Sequence, residues 1–367
     1  MDNTGDFGGD DGPNVHMLLK IVILGVIGFV SVCGNCIALG TLIVYKNSLR
    51  TGIFIVIGGL ALADIVITSM DIPDRIMFQA DKGDLKSETW CKVYGILVNS
   101  CQYIKAFHLV VLAVLRGILL TDRAHHAPTA LHALITCAIL WTASLLANIP
   151  MITSSIHDSM TKRCVIDIDK NRDEERQSDD TLAAEERYLI LSSAFSYFLP
   201  LVLIIIIYLF TGYMSKRFFE DSYSRRERRL SKMISCLIVT FSLCHLPSET
   251  VNLLWFYQVR NKELTQLQKD NEKYQVWLHI RDYLQILALF DMAIRPIIYA
   301  TMSREFGRVY DQVINCTYCR KEEGEEELPP RLRHRGREIE EVMSTPLRQE
   351  QYNPETAGTD NETEEIF

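Results

Sequence analysis

Apolar residues in this 367-residue chain are gathered into long blocks, not spread at the spacing of a half-buried helix or strand. Seven blocks stand out: Met17 to Tyr45, Ile53 to Phe78, Trp90 to Leu120, Ala130 to Ile152, Tyr188 to Tyr213, Met233 to Tyr257 and Tyr274 to Thr301. At about 1.5 Å per residue, each is long enough to cross a hydrocarbon core of about 30 Å. Backbone polar groups in lipid must be satisfied within their own segment, so each block is expected to be a helix. The expected fold class is an all-α membrane protein, a seven-transmembrane helix bundle over residues 17–301. The connecting loops are too short to form domains. The third block carries a lysine, Lys105, near its middle and an arginine, Arg116, toward one end. A charge inside a membrane span points to function and calls for a partner.

Average composition hides the blocks: 48% of residues are hydrophobic and the mean hydropathy is only +0.07. Charge then orients them. Lys46, Arg50 and Arg123, and the run Lys216, Arg217, Arg225, Arg226, Arg228, Arg229 and Lys232, follow spans one, three and five, so those loops are expected to be cytoplasmic. The opposite loops are mixed to acidic, with Asp81, Asp84, Glu88, Asp167 and Asp169 among them. An odd number of spans places the tail 1–16 outside and the carboxyl tail inside. The acidic start (Asp2, Asp6, Asp10, Asp11) has no basic region, so the first block is expected to be a retained span. The net charge of -8 is divided between two compartments and points to no nucleic-acid partner. Of ten cysteines, Cys91 and Cys164 fall in outer segments, where disulfides persist. Most others lie in spans and read as small buried hydrophobes. Cys316 and Cys319, just past the last span, are candidates for palmitoylation. No metal-ligand spacing appears, and His125-His126 reads as a solvated loop pair.

Polar residues within the spans carry a more specific pattern. Gly34-Asn35 and Leu60-Ala61-Leu62-Ala63-Asp64 are followed in order by Cys91, Arg116, Trp141, Cys164, Pro200, Tyr208, Phe241, Pro247, Pro296, Tyr299 and Phe306. Over about residues 17–315 the chain resembles the rhodopsin-like (class A) G-protein-coupled receptors, and within them most the galanin-like peptide receptors and their orphan relatives. An internal repeat of the secondary-transporter kind is not found. The resemblance implies a multi-pass plasma-membrane receptor that transmits extracellular ligand binding to a heterotrimeric G protein. It implies arrestin as a further partner, no enzyme activity and no cofactor. It also implies a Cys91–Cys164 disulfide, which would stabilise the outer half by on the order of 2–5 kcal/mol. The alternation of apolar and acidic residues in Cys164-Val165-Ile166-Asp167-Ile168-Asp169 reads as a strand or hairpin over the mouth.

The same resemblance bears on the ligand. Val98 stands seven residues after Cys91, where amine receptors carry an aspartate. Leu289 stands seven before Pro296, where opsins carry the Schiff-base lysine. Both departures disfavour a monoamine or retinal and leave a peptide or other polar ligand. Candidate ligand contacts by position are Asp71, Asp74, Tyr94, Val98, Gln102, His245, Glu249, Asn252 and Gln285. Asp71 and Asp74 flank Pro73 and read either as receivers of a cationic ligand group or as solvated acids at a helix end. His245 replaces the usual tryptophan of the sixth span. With a reference pKa of about 6.5 it can bond a ligand or titrate, or it is a satisfied core histidine.

Arg116 occupies the family's arginine position, but Leu115 and Gly117 replace its usual acidic and aromatic flanks. Glu227, twenty residues before Pro247, is either its resting partner or one of a solvated run with Arg225, Arg226, Arg228 and Arg229. The resemblance implies that Tyr208 joins Tyr299 through water on opening, that helix six pivots near Pro247, and that Pro296 shapes span seven. Asp64, Lys105, Asp291 and Arg295 occupy positions where the family binds sodium. Two acids and two cations there are expected to form an ionic cluster that excludes the ion by repulsion and occupancy; the other reading is that the basic chains snorkel away. After span seven, Ser303 to Tyr310 begins an expected amphipathic eighth helix, residues 302–319, lying on inner membrane lipid. Residues 320–367 are expected to be disordered, with Ser344, Thr345, Thr356, Thr359 and Thr363 as phosphorylation sites. The altered flanks of Arg116 and the charged core keep a second reading open, a decoy receptor that binds without G-protein signalling.

Overall fold

A computed structural model describes residues 15–44, 52–80, 87–120, 129–158, 163–166, 187–188, 190–218, 225–260 and 271–315. Among them seven helices are long and apolar enough to cross a membrane. They are α1 (Val15–Val44), α2 (Gly52–Gln79), α3 (Glu88–Leu119), α4 (Ala130–Ala147), α5 (Leu199–Phe218), α6 (Arg225–Arg260) and α7 (Asn271–Met302), and an eighth, α8 (Arg304–Ile314), follows. One compact unit runs from Met1 to Ile314, and of the second, Asn315–Phe367, only Asn315 is described. The palmitoylation candidates Cys316 and Cys319, the phosphorylation candidates and His125-His126 lie outside the described residues.

Helix ends follow local chemistry. Ser87 caps α3 by accepting from the Trp90 amide at 3.1 Å, and the Thr129 hydroxyl accepts from the His132 amide at the start of α4. The fourth apolar block reaches Ile152 and its helix was expected to end at Pro150; α4 ends at Ala147. Pro150 disfavours helical backbone at the residue before it, and the chain turns through Met151–Ser154 into strand β1 (Ser155–Asp158). β1 pairs antiparallel with β2 (Arg163–Ile166), with His157 opposite Cys164. The hairpin is fastened to α3 by the Cys91–Cys164 disulfide. This end of the bundle, expected to face outward, is here called the outer end.

Proline shapes two of these helices where the site is built. Before α5 the backbone opens into a π turn, Ala194–Phe198, immediately ahead of Pro200, whose missing N–H cannot continue a regular ladder. Pro296 in α7 likewise leaves the Met292 carbonyl without its helical donor. The Asn35 side-chain amide donates to that carbonyl at 3.3 Å and to the Ser31 carbonyl at 2.9 Å. Gly34 makes this approach possible, because a Cβ there would collide with the Pro296 ring. The landmark pair Gly34-Asn35 thus joins α1 to the break in α7.

α3 is the central helix, lying against α2, α4, α5, α6 and both strands. Its buried residues join Phe54, Ile57, Leu60, Leu237 and Phe241 in the core. Leu18, Val22, Phe29, Ile139, Ile205, Ile206, Leu209 and Phe210 face outward, an apolar belt suited to lipid. Cys33 and Cys36, expected to be buried, face outward on α1, whereas Cys101, Cys137 and Cys244 are buried. α6 starts at Arg225, eight residues before its apolar block, so its charged turns continue the helix beyond the span. α8 buries Phe306, Val309 and Tyr310, and the Tyr310 hydroxyl donates to the Gly34 carbonyl at 2.5 Å. Burial pushes that phenol up from its ordinary pKa.

A candidate ligand cleft above a buried ionic core

Arg295 stands on α7 one residue before Pro296, and Asp291 is one turn earlier on the same face. One guanidinium nitrogen, Nη1, donates to both oxygens of Asp64 on α2, at 2.8 Å each, while Nη2 donates to Asp291 Oδ2. All three side chains are fully shielded from solvent. Lys105 does not complete the expected four-residue cluster by contact. Its ammonium bonds His245 Nε2 at 3.1 Å, and the same nitrogen lies 3.4 Å from Asp291 Oδ2. Lys105 therefore balances the second carboxylate in charge, across the histidine. The chain of contacts runs Asp64, Arg295, Asp291, His245, Lys105, crossing α2, α7, α6 and α3. His245 also packs on Phe241, with ring centres 4.7 Å apart, beside Tyr197.

Above this core lies a cleft. Six ligand-contact candidates line it: Asp71, Gln102, His245, Glu249, Asn252 and Gln285. Asp74, Tyr94 and again Gln285 line a neighbouring cavity that reaches Cys164. Val98 is buried and lines neither. Asp71 fits neither of its two readings as an available acid. It accepts from Arg75 Nε at 2.9 Å and from the Tyr94 hydroxyl at 2.7 Å. Arg75, four residues on, also donates to Gln285, which donates to Asn252, so this lattice ties α2 to α7 and α6. Trp90 Nε1 donates to Asp74 at 3.2 Å. Glu249 accepts from Ser193 at 2.8 Å, tying α6 to the start of the fifth span.

Arg75 and Ser193 were missed in the sequence, although the Asp71-to-Arg75 spacing of four residues was a readable signal. A second missed cluster closes α1 on α7 at the outer end. Lys20, the one cation of the first apolar block, pairs with Asp282 at 2.7 Å and meets His279 at 3.3 Å, and His16 stacks on His279.

At the inner end the Arg116 guanidinium carbon lies 4.2 Å from the centre of the Tyr208 ring, and its Nε has no hydrogen-bond partner among the described residues. The Tyr208 hydroxyl donates to Ser235 on α6 at 3.1 Å. The Glu227 side chain is outside the described residues. Tyr299 is fully buried against Phe306 and bonds no described residue through its hydroxyl. Gly117 in place of an aromatic has a steric reason: a Cβ there would stand 2.9 Å from Thr211 Oγ1, where α3 and α5 meet.

The family profile of the 7 transmembrane receptor (rhodopsin family) matches residues 34–299. The chain belongs to this family. Similar rhodopsin-family proteins include neuropeptide Y receptor type 6 of Oryctolagus cuniculus, 24% identical over 321 residues, covering 84% of this chain and 82% of that protein. Galanin receptor 2a of Danio rerio is 23% identical over 319 residues, covering 83% of this chain and 80% of that receptor. Tachykinin-like peptides receptor 86C of Drosophila melanogaster is 23% identical over 310 residues, covering 81% of this chain and 58% of that receptor. The family match spans the polar landmarks from Gly34 to Tyr299, so the fold and its ordered motifs belong to one scaffold.

Proposed function

We propose that this rhodopsin-family receptor binds an extracellular peptide in the outer cleft and transmits that binding to a heterotrimeric G protein at the end carrying Arg116. The peptide class is supported by relatives named for neuropeptide Y, galanin and tachykinin-like peptides, and by a cleft lined with hydrogen-bonding side chains from α2, α3, α6 and α7. The observation that carries the transmission step is the inner contact of Arg116 with Tyr208, which spans α3 and α5 and reaches α6 through Ser235. Outward swing of the inner end of α6, hinged near Pro247, separates Ser235 from Tyr208 and frees Arg116 for the G protein. Ligand then biases a two-state rearrangement.

In this reading the amino terminus is extracellular, α8 rests on inner-leaflet lipid, Cys316 and Cys319 accept palmitate, and the carboxyl tail serves arrestin. The Asp64–Arg295–Asp291 group holds the place of a sodium ion. No observation on the described residues favours a non-signalling decoy over this reading. The test is G-protein nucleotide exchange by the purified receptor in lipid nanodiscs, with Arg116→Ala as control. Exchange above the G protein alone, lost in Arg116→Ala, is expected. No exchange by correctly folded receptor, with or without a peptide library, would overturn it.

A further inference from the structure

We propose that the floor of the cleft is a subsite for an anionic group of the ligand, a carboxylate, held by the Lys105 ammonium. The inference rests on the reading of the cleft as the ligand site and names the chemistry of what enters it. Lys105 is 1% exposed at the middle of α3 and lines the cleft. Three other cations set into this part of the bundle each touch a carboxylate: Lys20 with Asp282 at 2.7 Å, Arg75 with Asp71 at 2.9 Å and Arg295 with Asp64 at 2.8 Å. Lys105 touches none among the described residues. Its ammonium, with three protons to donate, has the His245 ring nitrogen at 3.1 Å and the face of Phe241 with its centre at 5.8 Å. The acids of the cleft are engaged elsewhere, Asp71 by Arg75 and Tyr94, and Glu249 by Ser193. The Lys105 ammonium therefore keeps protons that no carboxylate among the described residues takes up by contact.

His245 gives an anion bound at Lys105 a consequence. Its Nε2 faces Lys105 at 3.1 Å and Asp291 Oδ2 at 3.4 Å. A neutral imidazole nitrogen either accepts or donates. With Nε2 unprotonated it accepts from Lys105 and gives Asp291 nothing. With Nε2 protonated it donates to Asp291 and gives Lys105 nothing. Asp291 Oδ1 already has no hydrogen-bond partner among the described residues. A ligand carboxylate on Lys105 relieves the competition: the ammonium bonds the carboxylate, and Nε2 carries its proton toward Asp291. His245 lies two residues before Pro247 on α6, so occupancy of the floor alters the contact between α6 and the Arg295 cluster on α7.

The test uses the full chain in lipid nanodiscs and two small probes that differ in one charge, N-acetylglycine and N-acetylglycinamide, at ionic strength matched with sodium chloride. At about ten times its dissociation constant the acid is expected to raise the apparent Tm by about 2–5 °C, because a ligand that binds only the folded state stabilises it. The amide is expected to leave Tm unchanged. Lys105→Met should abolish the response to the acid and Lys105→Arg should keep it. Equal responses to acid and amide in the natural chain would overturn the proposal without need of any variant, as would a Lys105→Met protein that still responds. Nucleotide exchange in the same nanodiscs separates the two readings. Exchange that Arg116→Ala abolishes, with no response to the acid, overturns the subsite and keeps the receptor. A response to the acid with no exchange under any condition keeps the subsite and overturns the receptor.

Discussion

Arg295 and Arg116 of this receptor are held in opposite ways. Arg295 has no exposure and shares its guanidinium between two carboxylates on two helices. Arg116 lies against the face of Tyr208, and its Nε, like that of Arg295, has no hydrogen-bond partner among the described residues. Breaking a buried ion pair by removing one partner costs about 3–5 kcal/mol, because the remaining charge is stranded. A cation over an aromatic face contributes about 0.5–2 kcal/mol. The middle of the bundle is therefore clamped and the inner end only latched. A bistable element belongs at the latch, where ligand and G protein supply free energies of a few kcal/mol.

Arg295→Met breaks this contrast most directly. It leaves Asp64 and Asp291 buried with no cation in contact, and stability should fall by about 3–5 kcal/mol, read as a large drop in apparent Tm or as loss of surface expression. Adding Asp291→Asn should recover part of that loss, since one stranded charge is removed with it. A loss under about 1 kcal/mol would mean that the cluster is no clamp.

Arg116→Ala is the counterpart at the latch. Nucleotide exchange should fall at least tenfold while stability changes by only about 1 kcal/mol, the scale of the cation–ring contact. A destabilisation comparable to that of Arg295→Met would show that Arg116 has a carboxylate partner after all, with Glu227 the first residue to test.

The contrast between these sites also marks what the sequence made legible. The spans were readable because twenty-odd apolar residues in a row have few other uses. The clamp was readable in part: Asp291 and Arg295 are one helical turn apart, and Asp64 falls at a landmark position. The place of Lys105 was not, because which neighbour its flexible stem reaches is decided by packing. It found His245 on α6, 140 residues away. Asp71 misled for a related reason. Its acidity and position suggested an open mouth, and the counter-ion four residues on, Arg75, consumed it. The end of span four was legible to within a few residues: the apolar block runs to Ile152, Pro150 marks the expected stop, and the helix closes at Ala147.

A smaller effect sharpens the latch. Ser235→Ala removes the acceptor of the Tyr208 hydroxyl and leaves the ring under Arg116. A hydrogen bond of this kind contributes about 0.5–1.5 kcal/mol net. If it holds the resting state, basal exchange should rise about two- to tenfold with Tm nearly unchanged. Unaltered basal exchange would place the resting restraint elsewhere on α6.

The smallest expected effect is none at all, and it tests the clamp from the other side. A sodium ion between Asp64 and Asp291 would need the oxygens that Arg295 already holds. It would also stand a few ångströms from a guanidinium, and unit charges about 4 Å apart repel by about 4 kcal/mol at an effective dielectric near 20. Replacing sodium by N-methylglucamine at constant ionic strength should therefore change neither Tm nor basal exchange in the natural chain. Arg295→Asn removes the occupant and returns two carboxylates to an empty polar site, so that variant should gain a sodium-dependent rise in Tm, the ion restoring the charge that the arginine supplied. A sodium-specific shift in the natural chain would mean that the guanidinium leaves its carboxylates. The two arginines would then differ in degree of restraint only.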